Sequence, residues 1–433
     1  MPCAIYRCRL PISGTSGKTV DLALPELPAD RWQVPEVLEV TMRIGLAVLV
    51  IAYVLSQFYR AFLAVLTPAL QSELGATPED LAFASGLWFI VFAVMQLPVG
   101  WSLDTLGPRK TVSVLLGLGG AGGAAMFAIA STPMHITLAM GLIGVGCAPV
   151  LMASYFIFAR IYPAKVFATL AALVIGVGSF GNIASSAPLA WSVASFGWRT
   201  TMWGLAATTL IVALLLMITV KDPERVVSDQ KGSVLDLLKM PALWFIFPLM
   251  FVNYAPAAGI RGLWIGPYFT DVFGADAAGI GRATLVMSLA MVVANFVYGP
   301  LDRILGTRKW VVLTGNLAGA ISVFTLFLLP AHSILVSTVL CAAVGFFGAS
   351  FAVIVAHARS FFPAHLTGRG VTLINLFGIG GAGVFQFVTG PVHRVASESA
   401  TTPEGPYVVL FLFFALLLFV GSVIYAFSHD RLD

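Results

Sequence analysis

Residues 100–110 read GWSLDTLGPRK, and residues 299–309 read GPLDRILGTRK. Each stretch sets a glycine, an aspartate, a second glycine and a basic pair between two long apolar runs. Further matches surround them at offsets of 199 and 200: ARIYPAK (159–165) with ARSFFPAH (358–365), and Gly178 and Gly181 with Gly378 and Gly381. Self-similarity at that register predicts a duplicated structural unit.

The apolar runs say what kind of unit. Of 433 residues, 59% are hydrophobic and 10% charged, with a mean hydropathy of +0.94. Water-soluble domains carry roughly 25% charged residues, so this composition predicts an integral membrane protein. Windows of about 20 apolar residues, the length that crosses the hydrocarbon core, occur twelve times. They centre on 42–70, 80–103, 110–131, 134–158, 166–190, 200–220, 241–268, 283–301, 310–330, 334–358, 370–392 and 407–427. The expected fold is therefore all-α, with twelve transmembrane helices as two pseudo-symmetric six-helix bundles at 42–220 and 241–428. A linker at 221–240 joins them, with tails at 1–41 and 429–433. Residues 1–41 lack a signal-peptide apolar core and read as a disordered tail; Met42 is an alternative start.

Charge sets the orientation. With the linker inside, the inner loops hold thirteen Lys and Arg, among them Arg109, Lys110, Arg160, Lys165, Arg359 and Arg369, against Arg199, Arg282 and Arg394 outside. The positive-inside rule then puts both termini in the cytoplasm.

The 100–110 stretch, between the second and third helices, resembles motif A of the major facilitator superfamily, and 299–309 resembles a second copy. Gly100, Asp104, Gly107, Arg109 and Lys110, with Asp302, Gly306, Arg308 and Lys309, are the residues that resemblance assigns to gating rather than substrate binding. It implies a transporter that alternates access around a midplane site, in a bacterial inner membrane. Two features depart from its proton-antiporting drug exporters. Met140 stands where they carry an arginine ahead of Gly144-Val-Gly146, and Gly176-Val-Gly178-Ser-Phe-Gly181-Asn182 lacks their Gly-Pro signature. Tyr59-Arg60 with Pro68 eight residues on is instead similar to organophosphate:phosphate antiporters and organic-anion symporters. In those antiporters a second arginine in helix seven completes an anion clamp. Arg261 is the counterpart here, slightly out of register with the family's Trp and Tyr at Trp264 and Tyr268.

The residues support a shared site on their own account. Tyr53–Arg60 (YVLSQFYR) and Tyr254–Arg261 (YAPAAGIR) share a Tyr-x6-Arg spacing at an offset of 201. An ionised arginine inside a bilayer costs at least about 2.5–3.5 kcal/mol and stays where a cavity or partner compensates it. On continuous helices Tyr53, Gln57, Arg60 and Thr67 share one face, as do Tyr254, Arg261 and Tyr268, with Asn253 and Trp264 nearby. The guanidinium fork suits carboxylate or phosphate oxygens, and aromatic rings suit a substrate's apolar body. The expected site is Arg60, Arg261, Tyr53, Gln57, Tyr254, Trp264 and Tyr268, with Asn182 and Asn375 as secondary contacts. The competing reading has Arg60 snorkelling outward or bonding helix-end carbonyls.

Other classes find little in the sequence. No catalytic triad, phosphate loop or metal spacing stands out, so neither an enzyme nor a cofactor is expected. The Gly-rich runs Gly117–Gly123 and Gly378–Gly383 read as close-packing or rocking faces. Met287 and Met291 offer soft thioethers to Cu(I) but more commonly pack. The basic residues are spread over short loops, which argues against nucleic acid. No Asp or Glu falls mid-segment, so the site suits anion exchange or uniport, with symport still open through a proton carried on a substrate carboxylate, and His357 reads as structural. Gln386, inside the eleventh segment, reads as a helix–helix hydrogen bond. The partners expected are a small anionic substrate and the lipid bilayer, with the chain a monomer. Two alternatives stay open: an exporter of neutral or cationic solutes with structural arginines, and a non-transporting sensor of the same fold.

Overall fold

The computed structural model describes residues 36–161, 170, 173–223, 234–363 and 367–432. Outside them lie most of the expected tail with Cys3 and Cys8, Lys165, the middle of the linker and the side chains of Met42 and Arg369. Among the described residues ten helices are long and apolar enough to cross a membrane, and two bent pairs bring the spans to twelve when each pair is taken as one. In chain order these are α1 (Ile44–Phe58 with Leu63–Leu74), α2 (Pro78–Thr105), α3 (Pro108–Ala128), α4 (Pro133–Phe158), α5 (Leu173–Ala184 with Ala187–Phe196) and α6 (Trp198–Thr219). The second half holds α7 (Pro241–Phe273), α8 (Ala277–Leu305), α9 (Lys309–Leu328), α10 (Ile334–Arg359), α11 (Leu373–Ser399) and α12 (Gly405–Tyr425). Leu118, Ile218, Phe296 and Leu335 are each at least 70% exposed, an outward apolar surface that suits lipid rather than water.

Local chemistry sets the ends. Gly75, at φ +63°, closes α1 in the left-handed region. Thr77 then opens α2 with a capping box: its Oγ1 accepts from the Asp80 amide at 3.2 Å, and Asp80 Oδ2 accepts from the Thr77 amide at 2.9 Å. Gly274 closes α7 in the same way, and Asp276 caps α8 through the Gly279 amide at 2.8 Å. Because α2 runs from the Thr77 turn to Asp104, that turn and the one at Gly274–Asp276 lie at the end of the bundle opposite the two Gly-Asp-Gly-Arg stretches. These are called below the far end and the motif end.

Two departures from regular helix matter for the site. The apolar run at 42–70 predicts one helix, but α1 bends by 49° across Tyr59–Phe62. There the Arg60 and Ala61 amides bond carbonyls three residues back, at 3.3 and 3.1 Å. Pro68 cannot donate to the Ala64 carbonyl, which instead faces Gly266 of α7, where a Cβ would sit 2.5 Å away. Thr67 therefore leaves the Arg60 face and bonds the Leu63 carbonyl at 3.3 Å. In α7, Ile260–Trp264 forms a π turn. One inserted residue rotates the later part of the helix by about 100°, so the sevenfold spacing of Tyr254, Arg261 and Tyr268 no longer marks one face.

The halves repeat each other's packing. Gly181 of α5 lies under the Val54 carbonyl of α1, and Gly381 of α11 under the Phe251 carbonyl of α7. Gly119 and Gly123 pack on α4 at Gly146 and Ala139, inside one half, whereas Gly383 meets Ile90 of α2 across the halves. The expected rocking role thus splits between an internal contact and a seam. At the far end the halves meet closely: Phe83 and Phe387 rings are 4.9 Å apart, His393 Nδ1 is 2.9 Å from Glu79 Oε1, and Gly281 abuts Ala187 and Ala190.

Candidate substrate site between the halves

Arg60 projects from the break in α1, where the chain is already released from regular helix. Its Cζ lies 4.9 Å from the Phe92 ring and 5.4 Å from the Trp88 ring, both on α2. A guanidinium stacked on aromatic faces is held by the ring quadrupole while its edge stays free for oxygens. Arg60 is half-buried, and its Nε has no hydrogen-bond partner. Instead of snorkelling to the surface, this arginine places its guanidinium carbon over two rings of the neighbouring helix.

Arg261 comes from the π turn of α7 and is 1% exposed. Its Nη2 donates to Tyr254 Oη at 3.5 Å, while Nε and Nη1 find no partner. Its charge is felt at Arg60 and at Tyr254, so the two guanidiniums belong to one electrostatic neighbourhood. Among the described residues no carboxylate pairs with either arginine. Buried donors of a cation left unmade are costly, and each asks for an acceptor.

Phenols and amides surround the pair. Tyr53 Oη accepts from Gln57 Nε2 at 2.9 Å and interacts electrostatically with Arg60, Tyr254 and Tyr155. Gly178 of α5 leaves room for the Tyr53 ring, since a Cβ there would sit 2.3 Å from it. Tyr254 packs its ring on Phe351 of α10 at 5.8 Å. Gln386 of α11 is 2% exposed with both amide atoms unpartnered, and its Nε2 lies 3.6 Å from where a Cβ on Gly259 would be.

Of the expected site residues, Arg60, Arg261, Tyr53, Gln57 and Tyr254 come together. Others are engaged elsewhere. Trp264 donates its Nε1 to Thr389 Oγ1 at 3.0 Å and stacks on His393 at 4.9 Å, at the α7–α11 contact. Tyr268, turned away by the π insertion, bonds the Pro330 carbonyl and Ser337 Oγ inside the second half. Asn182 presents a buried, unpartnered Oδ1, and its carbonyl accepts from Ser288 Oγ of α8 at 3.3 Å, across the halves. Asn375 is half-buried on α11, and no described hydrogen bond joins it to the cluster. Asn253 ties Asn316 and Ser350 together at 2.7 and 3.0 Å within the second half.

Sequence reasoning misses Tyr155, Trp88 and Phe92, because lone aromatics in apolar helices carry no spacing signal. It also misplaces Gln386, whose amide has no helix–helix partner.

The two Gly-Asp-Gly-Arg stretches differ. In the second, Arg308 Nε donates to Asp302 Oδ2 at 3.1 Å. Asp430, just beyond α12, accepts from the Arg308 and Lys309 amides at 3.1 and 2.9 Å and from Thr307 Oγ1 at 2.5 Å. Burial raises the Asp430 pKa, but these donors outweigh it and hold the carboxyl below its ordinary value. In the first, Asp104 is exposed and reaches Arg160 at 3.9 Å, and among the described residues Asp222 beyond α6 accepts only from the Arg109 amide, at 2.8 Å. Gly107, at φ +88°, has that carboxylate 2.6 Å from its would-be Cβ. Gly100, Lys110 and Gly306 are exposed around these contacts. Met287 and Met291 both pack on Gly345, and His357 is bonded to Tyr425 Oη at 2.6 Å and to the His429 carbonyl at 2.9 Å.

Comparison with known proteins points the same way. Residues 49–263 match the profile of the Major Facilitator Superfamily. The chain is 23% identical over 171 residues to the probable galactarate/D-glucarate transporter GudP of Bacillus subtilis, covering 38% of each chain. It is 22% identical over 306 residues to the probable sulfoacetate transporter SauU of Cupriavidus necator, covering 65% of this chain and 71% of that one. To the 4-hydroxybenzoate transporter PcaK of Pseudomonas putida it is 28% identical over 157 residues, 35% of this chain and 32% of that one. The matches thus span well under half the length of two of these relatives. Among solved structures, the D-xylose-proton symporter superposes with a TM-score of 0.72 at 15% identity, covering 89% of this chain and 97% of that one. A bacterial homologue of the lysosomal transporter Spinster, inward-facing and occupied, gives 0.69 at 17% identity, covering 88% and 96%. With twelve spans in two repeating halves and a Gly-Asp-Gly-Arg stretch in each, this chain belongs to the Major Facilitator Superfamily, a family of transporters rather than enzymes.

Proposed function

We propose that the protein moves a small organic anion across the membrane by alternating access, binding it between Arg60 and Arg261. The observation that carries this is Arg261: an almost wholly buried guanidinium with two unpartnered nitrogens, beside a second arginine and away from any described carboxylate. Such a site is incomplete without an acceptor-rich anion. Tyr53, Gln57, Tyr254 and Tyr155 supply further polar groups, and Trp88 and Phe92 lie against the Arg60 guanidinium. Support also comes from relatives named for galactarate or D-glucarate, sulfoacetate and 4-hydroxybenzoate, all organic acids.

In this reading 42–220 and 241–428 are the rocking halves, 221–240 is the linker, and the motif end with both termini faces the cytoplasm of a bacterium. The chain acts as a monomer in the inner membrane. The test is the melting temperature of the purified protein across a panel of anions, since a ligand of the folded state raises it by mass action. One anion class is expected to raise wild type and leave Arg60→Ala and Arg261→Ala unmoved. Equal responses in all three proteins, or responses only to uncharged compounds, overturn the clamp.

A further inference from the structure

At the far end one titratable pair bridges the halves. His393 of α11 is 5% exposed, and its Nδ1 lies 2.9 Å from Glu79 Oε1 of α2. The span expected to end near residue 392 in fact continues to Ser399, which brings this histidine into the bundle. Its ring stands between Trp264 of α7, at 4.9 Å, and Tyr407 of α12, at 5.0 Å.

The groups facing it come from four helices. α2 supplies the Glu79 carboxylate. α7 supplies Trp264 and, through the Tyr407 hydroxyl that donates to it, Asp271. α12 supplies Tyr407 itself. On α11, Ser397 Oγ donates to the His393 carbonyl at 2.8 Å and approaches Nδ1 at 3.5 Å, and Arg394 is exposed to the surroundings. The Glu79 carboxylate and the Trp264 and Tyr407 rings thus face the imidazole, and the Tyr407 hydroxyl links its surroundings onward to Asp271.

The hydrogen bonding assigns the proton's place. An ionised carboxylate only accepts, so Nδ1 carries the hydrogen directed at Glu79. Nε2 is buried and has no partner, and its lone pair is where one further proton adds. The Glu79 side chain is 25% exposed, which leaves a way in from the far end.

We propose that Glu79 and His393 form a proton-binding site that locks the far end shut, so that taking up one proton at His393 Nε2 favours the far-end-closed conformation and losing it favours opening. Opening separates α2 from α11 and parts the charges, so the closed state binds the proton more tightly. A ligand bound more tightly by one of two states shifts the population toward it. The far end therefore closes as pH falls through the range in which histidine titrates and opens as pH rises through it. This couples transport to a proton gradient without any carboxylate at the arginine site. It rests on the alternating-access part of the reading above and not on the arginines.

The test places nitroxides at Ser72 and Glu398, exposed far-end positions on opposite halves, in the full chain in lipid nanodiscs with Cys3 and Cys8 replaced by serine. Distances are measured by electron–electron double resonance at about pH 5.5 and about pH 8.5, either side of the histidine range. Wild type is expected to lose much of its short-distance population at the higher pH. Both His393→Gln and Glu79→Gln are expected to give distributions that no longer depend on pH. A wild-type distribution that does not move with pH, or pH dependence that survives in His393→Gln, overturns the proposal. If His393→Gln does not fold, survival in Glu79→Gln overturns it equally. A merely structural pair changes the distribution without removing its pH dependence, and that result also counts against proton binding. Failure here leaves the anion-induced melting shifts intact, so the two readings fall separately.

Discussion

Arg60 and Arg261 occupy matching places in the two halves, yet the protein holds them differently. Arg60 sits at a 49° break, half-buried, with its Cζ over the Phe92 and Trp88 rings. Arg261 sits in a π turn, 1% exposed, with a single long bond to Tyr254 and two nitrogens unmade. Both are freed from regular helix, one by a break near a proline and one by an inserted residue. The first arginine is compensated by rings and solvent and the second by little that the protein itself provides. On the proposed anion clamp, this asymmetry assigns most of the binding energy to Arg261 and an orienting role to Arg60.

The largest expected effect is at Arg261. Arg261→Lys keeps the charge but removes the fork, and hydrogen bonds to charged groups contribute about 1.5–3 kcal/mol each. Anion affinity, read from the melting shift, should fall by one to two orders of magnitude, or roughly 10- to 100-fold. If Arg60→Lys costs as much or more, the asymmetry is wrong. Second comes crowding of the seam between the two arginine helices. A Cβ at Gly266 would stand 2.5 Å from the Ala64 carbonyl. Gly266→Ala should destabilise by about 1–3 kcal/mol and disfavour far-end closure, visible as a lower melting temperature without ligand.

Third is Trp88→Leu, which removes one ring beneath Arg60. A cation–π contact is worth about 0.5–2 kcal/mol, so affinity should drop a few-fold while Arg261-dependent binding persists. Loss as deep as in Arg261→Lys would show that Arg60 is the principal ligand.

The smallest effect concerns the two motif copies. Among the described residues Asp430 takes three hydrogen bonds and Asp222 one, so Asp430→Ala should cost about 1 kcal/mol, as a lost helix cap does, and Asp222→Ala less. The folded-state pKa of Asp430 lies below its ordinary 3.8. Its contribution is therefore complete above that value and lost as pH falls through the depressed one. The melting difference between wild type and Asp430→Ala should be steady near neutrality and shrink in strong acid.

Several features are legible from residues alone because they depend on short-range chemistry or on counting. Twelve apolar windows become twelve spans because a bilayer leaves the backbone no other way to satisfy its hydrogen bonds. The repeat at about 200 residues predicts Gly181 and Gly381 in matching roles, and each does lie under a carbonyl of the first helix of its half, Val54 and Phe251. The approach of Tyr53, Gln57, Arg60, Tyr254 and Arg261 comes from the same duplication. Tyr268 and Thr67 leave their expected faces because a fixed helical period does not carry through a π turn or a break. Neither irregularity has a local signature that distinguishes it from continuous helix.

The sequence by itself determined that this chain spans a bilayer, that it is built twice, and that each copy brings one arginine to its first helix, since hydropathy and repetition need no knowledge of contacts. Only the tertiary structure decided which groups surround those arginines, that Gln386 and Arg261 are buried unpaired, and that Glu79 meets His393 although 314 positions separate them. Those outcomes depend on how helices from different halves pack, and packing joins residues whose separation along the chain carries no periodic trace.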